Sequence, residues 1–214
     1  MNRSVPVSVQ TSAGSNGASG ILAKYSGELW LITVAHVAVT ERPIHSNWTE
    51  WPKDLAVMTD KGKILIPMIR ETPEPKPGFA HVKDESGHVI DIIAFAVDEA
   101  ILEYVDVEVF ELEDWQAEVG DRVAVCGYPT AVDNWPDPEK QIDASIIGYN
   151  PGGAIHFAPL ASHGFSGGPM ISKHGELLGM VVGSNGHGTA LMSQAIRMVI
   201  DSALSRRKPL PNGA

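Results

Sequence analysis

The apolar residues of this chain fall in short runs rich in branched side chains, each bounded by turn formers. Gly20-Ile21-Leu22-Ala23, Leu29-Trp30-Leu31-Ile32-Thr33-Val34, Ile64-Leu65-Ile66 and Ile90-Asp91-Ile92-Ile93-Ala94-Phe95 lie in the first half. Arg122-Val123-Ala124-Val125-Cys126, Ala144-Ser145-Ile146-Ile147 and Leu177-Leu178-Gly179-Met180-Val181-Val182 follow. Such runs have the length and the β-branched content of strands. With 21 Gly and 15 Pro spread among them, many short strands joined by turns predict an all-β sandwich or barrel. No internal repeat is visible. One stretch is different: from Ser193 to Leu204, Ile196, Val199, Ile200 and Ala203 recur at helical spacing. This predicts a single C-terminal helix that ends before Arg206-Arg207-Lys208-Pro209, a basic tail expected to be solvated.

Two polar segments, Glu71–Gly87 with three prolines and Thr130–Gln141, are expected to be surface loops. Glu103 to Asp114 alternates apolar and acidic residues, as a half-exposed strand and connector would. A boundary between two subdomains is expected near residue 114. The 214 residues suffice for one good-sized domain or two subdomains sharing a core. A net charge of −10 argues against binding a phosphate backbone. The lone Cys126 excludes an internal disulfide framework and a cysteine zinc site, and it fits a reducing compartment. The N-terminal residues contain no apolar core of a secretory signal, and no run could span a membrane. A cytoplasmic protein without nucleic-acid or membrane partners is therefore expected.

Chemistry is concentrated at three places. Gly164-Phe165-Ser166-Gly167-Gly168-Pro169 puts a serine on a tight glycine turn, where its hydroxyl can be exposed beside a base. Flanking glycines let a substrate carbonyl approach and turn N–H groups toward it. The full string is expected by chance only about once in a thousand such chains. Gly-x-Ser-x-Gly also describes the nucleophile elbow of α/β-hydrolases, but an elbow opens a helix and its acid and base come later in the chain. Here Gly167-Gly168-Pro169 resists helix formation and a strand-like run follows. At the second place, His36 ends the apolar run Leu31–Val34; imidazole is suited to moving protons near neutral pH. At the third, Asp91 is enclosed by Val89, Ile90, Ile92 and Phe95, a costly setting for a carboxylate unless a partner uses its charge.

The chain order His36, Asp91, Ser166, with each residue where a strand meets a loop, resembles the trypsin/chymotrypsin-like serine peptidases, in particular the bacterial HtrA-type branch. Gly17–Leu22 with Ile32–Val37 is similar to the first-barrel signature, and Asp91-Ile92-Ile93-Ala94 to the Asp-Ile-Ala segment. Val119–Pro129 is similar to the start of the second barrel, and Gly164–Pro169 with Gly175 and Leu178–Val181 to the serine loop and its following strand. The resemblance implies two antiparallel six-stranded β-barrels, residues 1–114 and 115–192, with a helix at 193–205 and a polar tail at 206–214. The active site would lie between the barrels. It implies Ser166 as nucleophile, His36 as general base and acid, Asp91 as the group that orients and stabilises the imidazolium, and the N–H groups of Gly164 and Ser166 as oxyanion hole. No metal or organic cofactor is implied.

Three departures shape the expectation. Phe165 stands where animal digestive members carry an aspartate, the family's disulfides are absent, and Val182-Gly183-Ser184 replaces the animal Ser-Trp-Gly. A pocket lined by Leu160, Ala161, His163, Val182 and Ser184 contains no Asp, which points to a small or apolar side chain while His163 and Ser184 leave an acidic one open. The partner is a protein or peptide substrate. No PDZ domain fits after residue 205, and an activating protein partner is expected if the protease is not to endanger its host. The alternative is a silent or partner-gated binding module on the same fold, or an esterase using the same machinery.

Overall fold

A computed structural model describes residues 1–207 except 13, 71, 131–135, 137 and 185. The first half holds Val5–Thr11 (β1), Gly14–Tyr25 (β2), Glu28–Thr33 (β3), Asp54–Thr59 (β4), Gly62–Pro67 (β5), Ile69–Arg70 (β6), Lys76–Pro77 (β7), Ile93–Val97 (β8) and Val109–Glu111 (β9). The second holds Arg122–Gly127 (β10), Lys140–Tyr149 (β11), Ile155–Ala158 (β12), Pro169–Ser172 (β13), Leu177–Ser184 (β14) and Gly188–Met192 (β15), followed by the helix Ser193–Arg207 (α1).

The second half is a closed antiparallel barrel in the order β10-β11-β12-β15-β14-β13. Its interior is filled by alternate residues of each strand, including Val123, Val125, Ile146, Phe157, Met170 and Leu178. The first half is a half-barrel in the order β5-β4-β1-β2-β3-β8, with β9 added to β2. It differs in two ways from the closed antiparallel cylinder expected. First, β9 runs parallel to β2, pairing Leu22–Lys24 with Val109–Glu111 beyond the point where β1 begins at Gly20. Second, no ladder joins β5 to β8 among the described residues. The intervening chain carries Pro73, Pro75 and Pro77, which have no N–H to donate to a ladder. Side chains cover this side instead: Trp48, Trp51, Phe79, His81 and Phe95 form a continuous aromatic cluster. The polar segments contain some regular structure too, since β7 lies in the first and Lys140 and Gln141 of the second begin β11.

His81 is buried in that cluster, and its Nδ1 has no hydrogen-bond partner among the described residues. Burial, with help from the nearby charges of Arg206 and Lys83, pushes its pKa below the ordinary histidine value. The unfolded chain thus binds this proton more readily than the fold. The resulting stability is fully present above about pH 6.5 and is lost as pH falls below it. The melting temperature should drop from pH 7 to pH 5, and His81→Phe should flatten that drop; an unchanged pH slope in the variant would refute the assignment.

Helix α1 returns to the first half. Ile196, Val199 and Ile200 are fully buried in the larger core, which also holds Leu177, Met180 and Val182 of β14. The other face of β14, Leu178 and Val181, lies in the barrel interior. One strand therefore serves two cores and holds the halves together. The helix runs further than its apolar periodicity predicts. Arg207 pairs with Glu28 at 2.8 Å and lies over the Trp30 ring, and Arg206 donates to the His81 carbonyl at 3.2 Å. Both arginines, expected in a tail beyond the helix, are helical and contact the first half while staying exposed, as expected of that segment; the rest of that tail, 208–214, lies outside the described residues. No helix is long and apolar enough to cross a membrane among the described residues.

Candidate active site

His36 sits in a single 3₁₀ turn, Ala35–Val37, that begins where β3 ends. Ala35 and Val37 are buried, which turns the imidazole out of the core. Asp91 lies two residues before β8, the neighbour of β3 in the sheet. The carboxylate is held twice by the same residue: His36 N–H donates to Oδ1 at 2.9 Å, and His36 Nδ1 lies 2.7 Å from Oδ2. A carboxylate only accepts, so Nδ1 carries the hydrogen, and in the neutral imidazole Nε2 is then the nitrogen with the lone pair. A third donor is Arg42 Nη2, 2.7 Å from Oδ2.

Ser166 belongs to the second half. Phe165, fully buried, plugs the barrel interior beneath the loop, a burial that contributes about 2–3 kcal/mol. Phe165 is thus an apolar anchor of the serine loop. Ser19 of β2 is the platform on which the loop rests. Its N–H donates to the Ser166 carbonyl at 2.8 Å, and its Oγ donates to the Gly164 carbonyl at 2.8 Å while accepting from Tyr128 N. Thr33 Oγ1 in turn donates to the Ser19 carbonyl at 2.7 Å.

The loop backbone has a definite polarity. The His163 carbonyl accepts from Thr130 N at 3.0 Å, and the Phe165 carbonyl accepts from Gly168 N at 2.9 Å. In a trans peptide the N–H points opposite to the carbonyl. Fixing these two carbonyls turns the N–H groups of Gly164 and Ser166 the other way, and neither has an acceptor among the described residues. Gly164 takes φ +97°, a conformation that favours glycine, and a Cβ there would collide with the Tyr128 carbonyl.

His36, Arg42 and Ser166 line a cleft of about 840 Å³ together with the walls 160–163 and 181–184. The structure thus brings to one place every side chain singled out for the pocket: Leu160, Ala161, His163, Val182 and Ser184. No hydrogen bond links Ser166 to His36, a bond that often tightens only when substrate binds. Three contributors escaped the sequence reading. Arg42 had no signal, Thr130 acts through its backbone alone, and Ser19 stood inside a quoted segment without a role. Cys126 faces the other way: it is buried, and burial pushes its thiol up to about 12, so it is inert at neutral pH.

No family model matches the sequence, and no curated protein matches it. Solved structures do. The serine endoprotease from Yersinia pestis matches over 95% of this chain and 63% of its own, with TM-score 0.65 and 16% identity. The fold is chymotrypsin-like. The HtrA-type protease AlgW, solved with a tripeptide, matches over 95% of this chain and 60% of its own, with TM-score 0.62 and 16% identity. The active form of the Rv3671c protease from M. tuberculosis matches over 99% and 85%, with TM-score 0.61 and 17% identity. At this identity the likeness is one of fold, and the chain spans less than two thirds of the first two proteases. The expected architecture is the one observed, with a half-barrel in its first half.

Proposed function

We propose that this protein is a serine endopeptidase that hydrolyses peptide bonds through an acyl-enzyme. The observation that carries this reading is the 2.7 Å contact between His36 Nδ1 and Asp91, in a cleft that His36 shares with Ser166. His36 Nε2 takes the Ser166 proton as Oγ attacks the scissile carbonyl. Asp91 holds the imidazole in the tautomer that can accept and stabilises the imidazolium that forms. Oxygen becomes negative in the tetrahedral intermediate, and the outward N–H groups of Gly164 and Ser166 bind it; each donor of this kind supplies about 2.7–4 kcal/mol. The same proton then passes to the leaving amine. A water, deprotonated by His36, releases the acid and restores Ser166. Leu160, Ala161 and Val182 favour a small or apolar side chain in the primary pocket. The carbonyls of His163 and Phe165 are held away from the cleft, which supports an assembled oxyanion hole over one collapsed until a partner binds.

A serine-reactive fluorophosphonate tests the reading without a known substrate. Intact mass should show one adduct on the parent and none on Ser166→Ala, with His36→Ala unlabelled on the same timescale. A folded parent that takes no adduct, or an adduct that persists in Ser166→Ala, would overturn it.

A further inference from the structure

Arg42 has no step in the chemistry above, yet among the described residues lining the cleft it is the permanent charge, and no carboxylate is among them. Its side chain is 57% exposed, whereas that of the Asp91 it touches is 12% exposed. A largely shielded carboxylate therefore pins one corner of a guanidinium whose remainder faces solvent. Guanidinium has five N–H donors in a rigid fork. Among the described residues, the one hydrogen bond it gives a carboxylate is from Nη2 to Asp91 Oδ2. The same nitrogen lies 3.1 Å from His36 Nδ1, which already carries a hydrogen and so cannot accept. With a single corner used, one forked edge of the group stays open over the cleft.

We propose that Arg42 reads an acidic side chain of the substrate, next to the scissile bond and on the His36 wall of the cleft, across from the pocket formed by 160–163 and 181–184. This rests on the endopeptidase reading. A carboxylate matches the open edge in bidentate fashion, as no neutral side chain does. Anchoring on Asp91 has already removed much of the rotamer freedom that an arginine loses on binding. In the resting cleft, Arg42 and Asp91 cancel. When the Ser166 proton reaches His36, the positive imidazolium forms together with the negative oxygen of the intermediate, so the site gains no net charge. The contact therefore acts as substrate binding and raises kcat/KM rather than kcat. The chain as a whole, at −10, repels acidic peptides at long range, so the preference has to come from this contact.

Peptidyl phosphonate probes, with matched Glu and Gln scanned through the positions flanking the phosphonate, test the proposal by the rate of adduct formation. At one position Glu should react about tenfold faster than Gln, the scale of a hydrogen bond between charged partners. Arg42→Gln should bring that ratio to about one, and Arg42→Lys should restore part of it. Equal rates for Glu and Gln at every position of the parent, or a ratio that survives in Arg42→Gln, would overturn the proposal. The bare fluorophosphonate is the separating arm. A parent that reacts with no probe defeats the endopeptidase reading itself. Loss of bare-probe reaction in Arg42→Gln alone assigns Arg42 to the support of Asp91 and defeats only the specificity proposal.

Discussion

Replacing Asp91 with asparagine should slow peptide hydrolysis by about 10⁴-fold, the loss seen when this chemistry is deprived of its carboxylate with the geometry kept. The reason is visible in the donors around Asp91. Oδ1 accepts from the backbone N–H of His36, and Oδ2 accepts from His36 Nδ1 and Arg42 Nη2. Asparagine has one oxygen for these two places. If the oxygen keeps the backbone N–H, the amide nitrogen faces Nδ1, which must then accept. The hydrogen moves to Nε2, and His36 cannot take the Ser166 proton. If the amide is flipped, a donor confronts the backbone N–H and the 3₁₀ turn is disturbed. The fold should survive, because Arg42 is half in solvent and finds water. Peptide turnover and the fluorophosphonate rate, measured beside the melting temperature, check this. Turnover within tenfold of the parent would mean that Asp91 is not the orienting group.

Gly167→Ala should destabilise the protein by about 2–5 kcal/mol, combining about 1–2 for a left-handed alanine with about 1–3 for the overpacking of a rigid site. Gly167 has φ +85°, and a Cβ there would overlap the Ser19 carbonyl oxygen and crowd Thr33 Oγ1. Both belong to the first half, so the collision is between the serine loop and the sheet it rests on. Any shift that relieves it strains the bond from Ser19 N to the Ser166 carbonyl and that from Gly167 N to the Val181 carbonyl. Labelling of Ser166 should be lost with it. Gly175 supplies the control: it has φ +87°, but a Cβ there meets nothing within 4 Å. Gly175→Ala should therefore lose only the conformational part, about 1–2 kcal/mol. Over 214 residues, each kcal/mol corresponds to about 2–4 °C in melting temperature, so the two variants separate by several degrees. Equal losses would show that the approach of the halves at Ser19 is not what limits residue 167.

Much of the site was legible because its chemistry needs unusual residues in unusual places. A serine among glycines, a histidine ending an apolar strand and an aspartate inside an apolar run each break the strand pattern around them. Such breaks mark positions that packing alone does not explain. The strand runs were legible for the opposite reason: Ile21–Ala23, Leu29–Thr33 and Leu177–Val182 are buried on a pleated sheet, and β-branched composition reports that directly.

What the sequence alone determined is local: strand-forming segments, the faces they bury, the helical face of Ile196, Val199 and Ile200, and the residue types able to transfer a proton and attack a carbonyl. What only the tertiary structure decided are relations across long separations in the chain. Closure of the second barrel but not the first depends on which edges meet, and three prolines with an aromatic cluster settle that for the first half. The outward N–H groups of the serine loop depend on Thr130 and Ser19, whose own side-chain types say nothing about backbone direction. Arg42 reaches Asp91 over a separation of 49 residues, and a surface arginine in a loop has no periodicity to betray it. Periodic burial is written along the chain, but a hydrogen bond between distant segments exists only once the sheets have brought them together.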